Sequence, residues 1–187
     1  MTIKEKTNAM ILDEFVKYSN WTIETSKHKD RETAIVCCLL GLIGEVDEYE
    51  EIRFQSQTHE NLIKKELGDI AYYLAHLIYR LDCKQHITLP NIEDFFYDKR
   101  AEETSPFVPV LAKLCESFKK VIRDADYVLE GHKKEFDVYS FISQLFSILL
   151  FECQSMEFDF LEILTMNQEK LTKRKEQGTI GGSGNER

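Results

Sequence analysis

The apolar residues of this chain recur every three or four positions along nearly its whole length. A period of about 3.6 residues is typical of helices that bury one face. No stretch alternates apolar and polar residues convincingly, as a half-buried strand would. The sequence therefore predicts an all-α fold, with helices over residues 8–27, 33–54, 61–82, 108–130, 136–156 and 159–176, and a short helix over 91–99.

Four acidic residues form two matched pairs within this helical pattern. Glu45 and Glu48 are three residues apart, as are Glu66 and Asp69, so each pair lies on one face of its helix. The polar segment 54–60 between them predicts the loop of a helical hairpin. Both pairs are centred on residue 57, so an antiparallel hairpin would bring all four acids together. Close carboxylates without a basic partner need a cation, and hard oxygen ligands favour Mg²⁺ or Mn²⁺.

Composition and charge exclude several classes of protein. The net charge of −9 argues against a surface for nucleic acid, because a phosphate backbone requires basic patches. Five cysteines without a C-x-x-C motif indicate reduced core residues, not disulfides or a zinc site. The first residues lack a signal-peptide pattern, and the longest apolar run, 34–44, is too short to span a bilayer. We therefore expect a cytoplasmic protein with neither nucleic acid nor a membrane as partner.

The lack of standard catalytic motifs in the sequence excludes several classes of enzyme. The P-loop, nucleophile-elbow and dinucleotide motifs are missing from the sequence. None of the five histidines follows a glutamate by three residues, so the motif of a ferritin-like di-iron bundle is missing too. An all-oxygen site suited to Mg²⁺ remains, and clustered Mg²⁺ ions in proteins commonly hold phosphates.

All three prolines fall between residues 90 and 109, which marks a boundary between two helical parts of one domain. We assign residues 1–104 to a metal-binding half, 105–164 to a second helical hairpin and 165–187 to a basic, glycine-rich tail. Segments 114–121 and 144–151 resemble 43–50 and 66–73, respectively. The second hairpin would then be a degenerate copy, with the following residues at the positions of the four acids: Glu116, Lys119, Gln144 and Ser147.

Two segments resemble the signature of a known family. Gly41-Leu-Ile-Gly-Glu-Val-Asp-Glu48 and Glu66-Leu-Gly-Asp-Ile-Ala-Tyr-Tyr-Leu-Ala75 are similar to the motifs of the MazG-like, all-α nucleoside triphosphate pyrophosphohydrolases, whose relatives include dimeric dUTPases and dCTP pyrophosphatases. The tail, with Asn167, Lys170, Arg174 and the segment 178–187, is similar to the ending of the compact members. The resemblance is close over residues 33–82 and 165–187, loose over 11–25, and does not cover 83–164.

The resemblance implies a helical bundle and an Mg²⁺-dependent hydrolysis of nucleoside triphosphates between the α and β phosphates. It gives the four acids the role of metal ligands, with Mn²⁺ as a possible substitute, and one glutamate would accept a proton from the attacking water. It places Tyr73 and Asn167 near the nucleoside, and Lys170 and Arg174 at phosphate oxygens. Tyr18 and Trp21 could shape a base pocket, but aromatic residues on a first helix usually belong to the core. A homodimer is the expected assembly.

Three alternatives to this assignment stay open on the sequence. The chain could be a non-catalytic helical protein that retains the scaffold to bind a nucleotide or a partner. It could also act on another pyrophosphate substrate, such as phosphoribosyl-ATP. Without the resemblance, Lys170 and Arg174 would be explained by the dipole of a helix C-terminus, and Tyr73 by the core.

Overall fold

The computed structural model describes residues 3–53, 60–89 and 106–179, and these ranges are helical and contain no strand. The all-α prediction is therefore confirmed. Short 3₁₀ turns occupy Thr22–Glu24 and Lys84–His86. The six helices are α1 Ile3–Trp21, α2 Arg31–Arg53, α3 Glu60–Leu81, α4 Phe107–Ala125, α5 Glu135–Ser155 and α6 Phe160–Glu176.

Four helices match their predicted ranges within two residues, and α1 and α4 do not. The first helix ends at Trp21 instead of residue 27, because the chain tightens into the 3₁₀ turn. The fourth ends at Ala125 instead of residue 130, because Asp126 and Tyr127 adopt left-handed φ angles of 46° and 66°. The predicted helix over 91–99 and nearly all of the predicted loop over 54–60 lie outside the described residues.

Helix α3 lies at the centre of the bundle and contacts α1, α2, α5 and α6, while α4 contacts α2 and α5. Its residues Leu67, Ile70 and Leu74 are all fully buried, and each such burial contributes about 1.5–3 kcal/mol to stability. All six helices supply residues to a single hydrophobic core. The two helical hairpins, α2 with α3 and α4 with α5, thus share one core.

Three aromatic rings join the first helix to the last two. Phe15 of α1 stacks on Phe146 of α5 with 4.2 Å between ring centroids. Both rings also contact Phe160, at the start of α6, at 5.8 and 5.9 Å. This cluster packs the start of α6 against α1 and α5, while the Asp159 side chain caps the helix by accepting a hydrogen bond from Leu161 N–H at 2.9 Å.

A buried ion pair joins α2 to α5. Glu152 is 1% exposed, and its Oε2 accepts a hydrogen bond from the Tyr49 hydroxyl at 2.5 Å and lies 3.2 Å from Arg53 Nη1. Burial, followed by the charge of Glu152, raises the pKa of Tyr49 well above its usual range, so the phenol stays a donor. Arg53 is a third exposed, so only the carboxylate is fully buried, and removing either of its two partners would destabilise the fold. No local pattern in the sequence indicates the contact between Tyr49 and Glu152, because the two are 103 residues apart.

Helix α5 is long and apolar enough to cross a bilayer by length and composition, with a mean hydropathy of 1.3. Of that apolar window, 67% is buried inside the protein. Its packing in the core accounts for this apolar character.

A buried histidine connects α3 to the end of α1. His76 is 3% exposed, and its Nδ1 lies 2.8 Å from the Thr22 hydroxyl, which itself donates to the Ser19 carbonyl at 2.7 Å. Arg80 Nε donates to His76 Nε2 at 3.2 Å. The hydroxyl can therefore only accept from Nδ1–H, so the ring is neutral with its proton on Nδ1.

We predict that this histidine makes folding sensitive to acid. Burial, and then the charge of Arg80, lowers the pKa of His76 from 6.5 to about 4, so between these values the unfolded chain binds more protons. The contribution of His76 to the free energy of unfolding is then fully present above pH 6.5. As the pH falls from 6.5 towards 4, this contribution decreases by up to about 1.4 kcal/mol per pH unit. Denaturant titrations at several pH values give the free energy of unfolding as a function of pH. This free energy should fall less steeply with decreasing pH in His76→Gln than in the wild type. Equal slopes would contradict the prediction.

Candidate metal and phosphate site

Three of the four predicted acids meet at the α2–α3 hairpin. Glu45 and Glu48 from α2 and Glu66 from α3 each present an oxygen within 4.8 Å of the other two. Within the described residues this is the one such group of acidic, histidine or cysteine side chains. The antiparallel register expected from the spacing around residue 57 therefore brings these three acids together.

Burial differs among the three acids and perturbs one of them strongly. Glu66 is 0% exposed, Glu45 is half-buried and Glu48 is exposed. Burial, reinforced by the charges of Asp69, Glu48 and Glu66, raises the pKa of Glu45 from 4.5 to about 8. A cation placed among these oxygens would remove the repulsion that causes part of this shift.

The structure places the fourth acid, Asp69, in a different environment from the one expected. Lys170 Nζ lies 2.5 Å from both of its carboxylate oxygens, and Asn167 Nδ2 donates to its Oδ1 at 2.6 Å. The expectation of four acids without a basic partner is therefore wrong for Asp69. The reason is that α6, distant in sequence, packs against α3 at this point.

A glycine and a tyrosine determine how α6 approaches. A Cβ on Gly68 would lie only 3.2 Å from Cβ and Nδ2 of Asn167, so the missing side chain lets the two helices come close. The buried Tyr18 hydroxyl donates to Asn167 Oδ1 at 2.8 Å, leaving Nδ2 directed to Asp69. Burial and the charge of Asp69 raise the pKa of Tyr18, so it remains the donor. Asn167, expected near a nucleoside, thus links α1 to α3.

The other residues predicted for substrate binding lie on the same side of the bundle. Tyr73 follows Asp69 by one turn, and burial together with the charge of Glu45 raises its pKa well above the usual range. Arg174 follows Lys170 by one turn of α6 and is half-buried. Tyr18 stacks on Trp21 with 5.5 Å between centroids.

One aromatic neighbour of this site, Tyr72, was not predicted from the sequence. Tyr72 forms an edge contact with Tyr73 at 5.3 Å and stacks on His76 at 5.9 Å. Its hydroxyl lies 3.2 Å from the Thr25 hydroxyl, beyond the end of α1. The adjacency of Tyr72 to Tyr73 was the available signal, although two consecutive helical residues do not normally share a face.

The corresponding residues of the second hairpin do not form a comparable cluster. Glu116 is exposed and forms ion pairs with Lys119 at 2.5 Å and Lys120 at 3.3 Å. Gln144 donates to the Ser140 hydroxyl on its own helix, and Ser147 is buried. The residues that take the place of the acids therefore contribute no carboxylate group to the site.

The donor set fits a small hard cation. Oxygens on opposite sides of one Mg²⁺ lie about 4 Å apart, twice the metal–oxygen distance. The oxygens of Glu45, Glu48 and Glu66 lie within 4.8 Å of one another, which is close to the separation that the ligands of one ion require. Carboxylate oxygens without nitrogen or sulfur ligands are the set preferred by Mg²⁺ and Mn²⁺.

Comparison of the chain with protein-family models, with curated proteins and with solved structures finds no match. The function proposed below therefore rests on the residues and geometry of this site, together with the resemblance of its motifs.

Two glycines of α2 allow a matched test of how closely Tyr73 packs at the site. A Cβ on Gly41 would lie 2.4–2.6 Å from ring atoms of Tyr73, whereas a Cβ on Gly44 would meet nothing within 4 Å. We predict that Gly44→Ala stabilises the protein by up to about 1 kcal/mol through helix propensity. Gly41→Ala should not stabilise the protein in this way, because the new methyl group would force the Tyr73 ring to move. Thermal melts of both variants measure the difference, and equal stabilisation would contradict the described position of Tyr73.

Proposed function

We propose that this protein is an Mg²⁺-dependent nucleoside triphosphate pyrophosphohydrolase of the MazG-like, all-α type. The observation that carries the proposal is the convergence of Glu45, Glu48 and Glu66 within 4.8 Å, in the two segments whose motifs resemble that family. A helical core needs only apolar residues at such positions, yet Glu66 is a fully buried carboxylate within the motif that resembles the family. The proximity of Lys170 to these acids gives further support, because a side chain that would bind phosphate lies beside a group that would bind a metal ion.

The acidic residues would bind the metal ion, and the basic residues of α6 would bind the phosphates. Glu45, Glu48 and Glu66 would hold the cation, and Asp69 would complete the set of ligands. Bound Mg²⁺ polarises a phosphate oxygen and makes a water molecule more acidic. One carboxylate of the cluster would accept the proton of the attacking water. On α6, Lys170 and Arg174 would neutralise phosphate oxygens through charge-assisted hydrogen bonds.

The aromatic residues beside the acids would hold the nucleoside. Tyr73, which borders Glu45, and Trp21 are partly exposed and would offer their rings to the base. Tyr18 and Asn167 are each 3% exposed and hydrogen-bonded to each other, so they would support the pocket from behind. This arrangement supports a nucleotide substrate without specifying the base.

We predict that Glu45→Gln and Asp69→Asn abolish turnover while the helix content stays unchanged, because these acids serve the metal and not the core. Pyrophosphate release assays and circular dichroism measure the two properties. Glu116→Ala is the matched control, since Glu116 is an exposed acid of the second hairpin. It should keep nearly full activity. If Glu116→Ala removes activity as completely as Glu45→Gln, the second hairpin supplies ligands and the assignment is wrong.

We predict monophosphate and pyrophosphate as the products of the accepted substrate, formed only when Mg²⁺ or Mn²⁺ is present. A panel of ribonucleoside and deoxyribonucleoside triphosphates, with phosphoribosyl-ATP included, should be assayed by chromatography of both products. Release of orthophosphate and a diphosphate would place the attack at a different phosphorus and reject the family assignment. The absence of turnover across the panel would instead favour the non-catalytic alternative.

We also propose that the protein forms a homodimer, which rests on the resemblance alone. Light scattering coupled to gel filtration would measure the mass against 21.9 kDa for one chain.

A further inference from the structure

The ion pair between Asp69 and Lys170 lies within the acidic site. The two side chains are only 15% and 21% exposed, and the ammonium is 2.5 Å from each carboxylate oxygen. Oδ1 also accepts a hydrogen bond from Asn167, so α6 supplies a donor to both oxygens. Asp69 is thereby separated from the group formed by the other three acids, although its charge still acts on Glu45.

We propose that Lys170 is a built-in competitor for the divalent cation, occupying the position on Asp69 that a metal ion would take. This inference rests on the proposed metal site, and it concerns how that site is regulated. In the resting protein the three glutamates would bind the cation, while Asp69 becomes a ligand only after Lys170 withdraws. Metal loading at Asp69 is then coupled to the position of α6.

The geometry of the pair accounts for the competition. An ammonium equidistant from both oxygens occupies the same location as a cation held by the two oxygens of one carboxylate. Two positive groups cannot share that location, since their repulsion in a partly buried site is large. The lysine therefore lowers the affinity of Asp69 for a metal ion. It has a second, separate effect, since it partly neutralises the charge of Asp69 that repels the other acids.

A second ion pair joins the same two helices. Lys64 of α3 lies 3.2 Å from Glu162 of α6 and is not a member of the acidic group. Asn167 and the apolar residues Ile163 and Leu164 also hold α6 in place. Lys64 therefore provides a matched control for loss of a lysine at this helix contact.

The test is a double-mutant cycle read by Mn²⁺ binding in the absence of nucleotide. Electron paramagnetic resonance gives the number and affinity of bound Mn²⁺ ions for the wild type, Lys170→Met, Asp69→Asn, the double variant and the control Lys64→Met. We expect Lys170→Met to tighten Mn²⁺ binding about tenfold, or to add a second ion. In the Asp69→Asn background the same substitution should change the affinity by less than about twofold. Lys170→Gln keeps a neutral donor to Asp69 and serves if Lys170→Met does not fold.

Each result decides one question. Equal Mn²⁺ affinity in the wild type and both Lys170 variants would overturn the competition and leave the metal site standing. If removal of Lys170 tightens Mn²⁺ binding equally with and without Asp69, or if Lys64→Met tightens it as well, the effect is one of general charge. Either result would also overturn the proposed competition. If the wild type and every variant bind no Mn²⁺, both the inference and the proposed metal site fall. Loss of Mn²⁺ binding in Glu45→Gln separately verifies that the glutamates hold the ion.

Discussion

The burial of α3 on several sides is the constraint on which the rest of the structure depends. A helix contacted by four others must be apolar around most of its circumference, and Leu67, Ile70 and Leu74 meet this requirement. The polar stripe that remains holds Glu66, Asp69 and His76. These side chains cannot all reach bulk water, so neighbouring helices must supply their partners. The acidic site, the lysine of α6 and the hydroxyls beyond α1 are consequences of that requirement.

Charge compensation at this stripe comes from a contact that is permitted by the absence of a side chain. Gly68 lets Asn167 approach α3 closely, and Lys170 then lies one turn farther along α6, beside Asp69. The aromatic cluster of Phe15, Phe146 and Phe160 packs the start of α6 against α1 and α5. Packing at one end of the helix therefore helps to position an electrostatic contact about three turns away. The packing of α6 in the core and the position of Lys170 beside Asp69 therefore depend on each other.

Much of the fold followed from the sequence, because local patterns determine helices. The apolar period located α2, α3, α5 and α6 within two residues, and the pairs of acids placed Glu45, Glu48 and Glu66 together. What failed depended on contacts between distant segments or on unusual backbone angles. The pairing of Asp69 with Lys170 spans 101 residues, and that of Tyr49 with Glu152 spans 103. No periodicity reports such contacts, and the left-handed residues after Ala125 carry no glycine to mark them.

The separation of Asp69 from Lys170 has a consequence during synthesis on the ribosome. Translation at about 5–20 residues per second delivers the lysine roughly 5–20 s after the aspartate, because the two are 101 positions apart. For that interval the nascent α2–α3 hairpin holds its acids without the ammonium of α6. Of the helices that contact α3, α1 and α2 are already made, whereas α5 and α6 follow later. The newly made hairpin must therefore keep its acidic stripe exposed to water or to free cations. Closure of the bundle around α3 is consequently a late event, which follows the synthesis of α6.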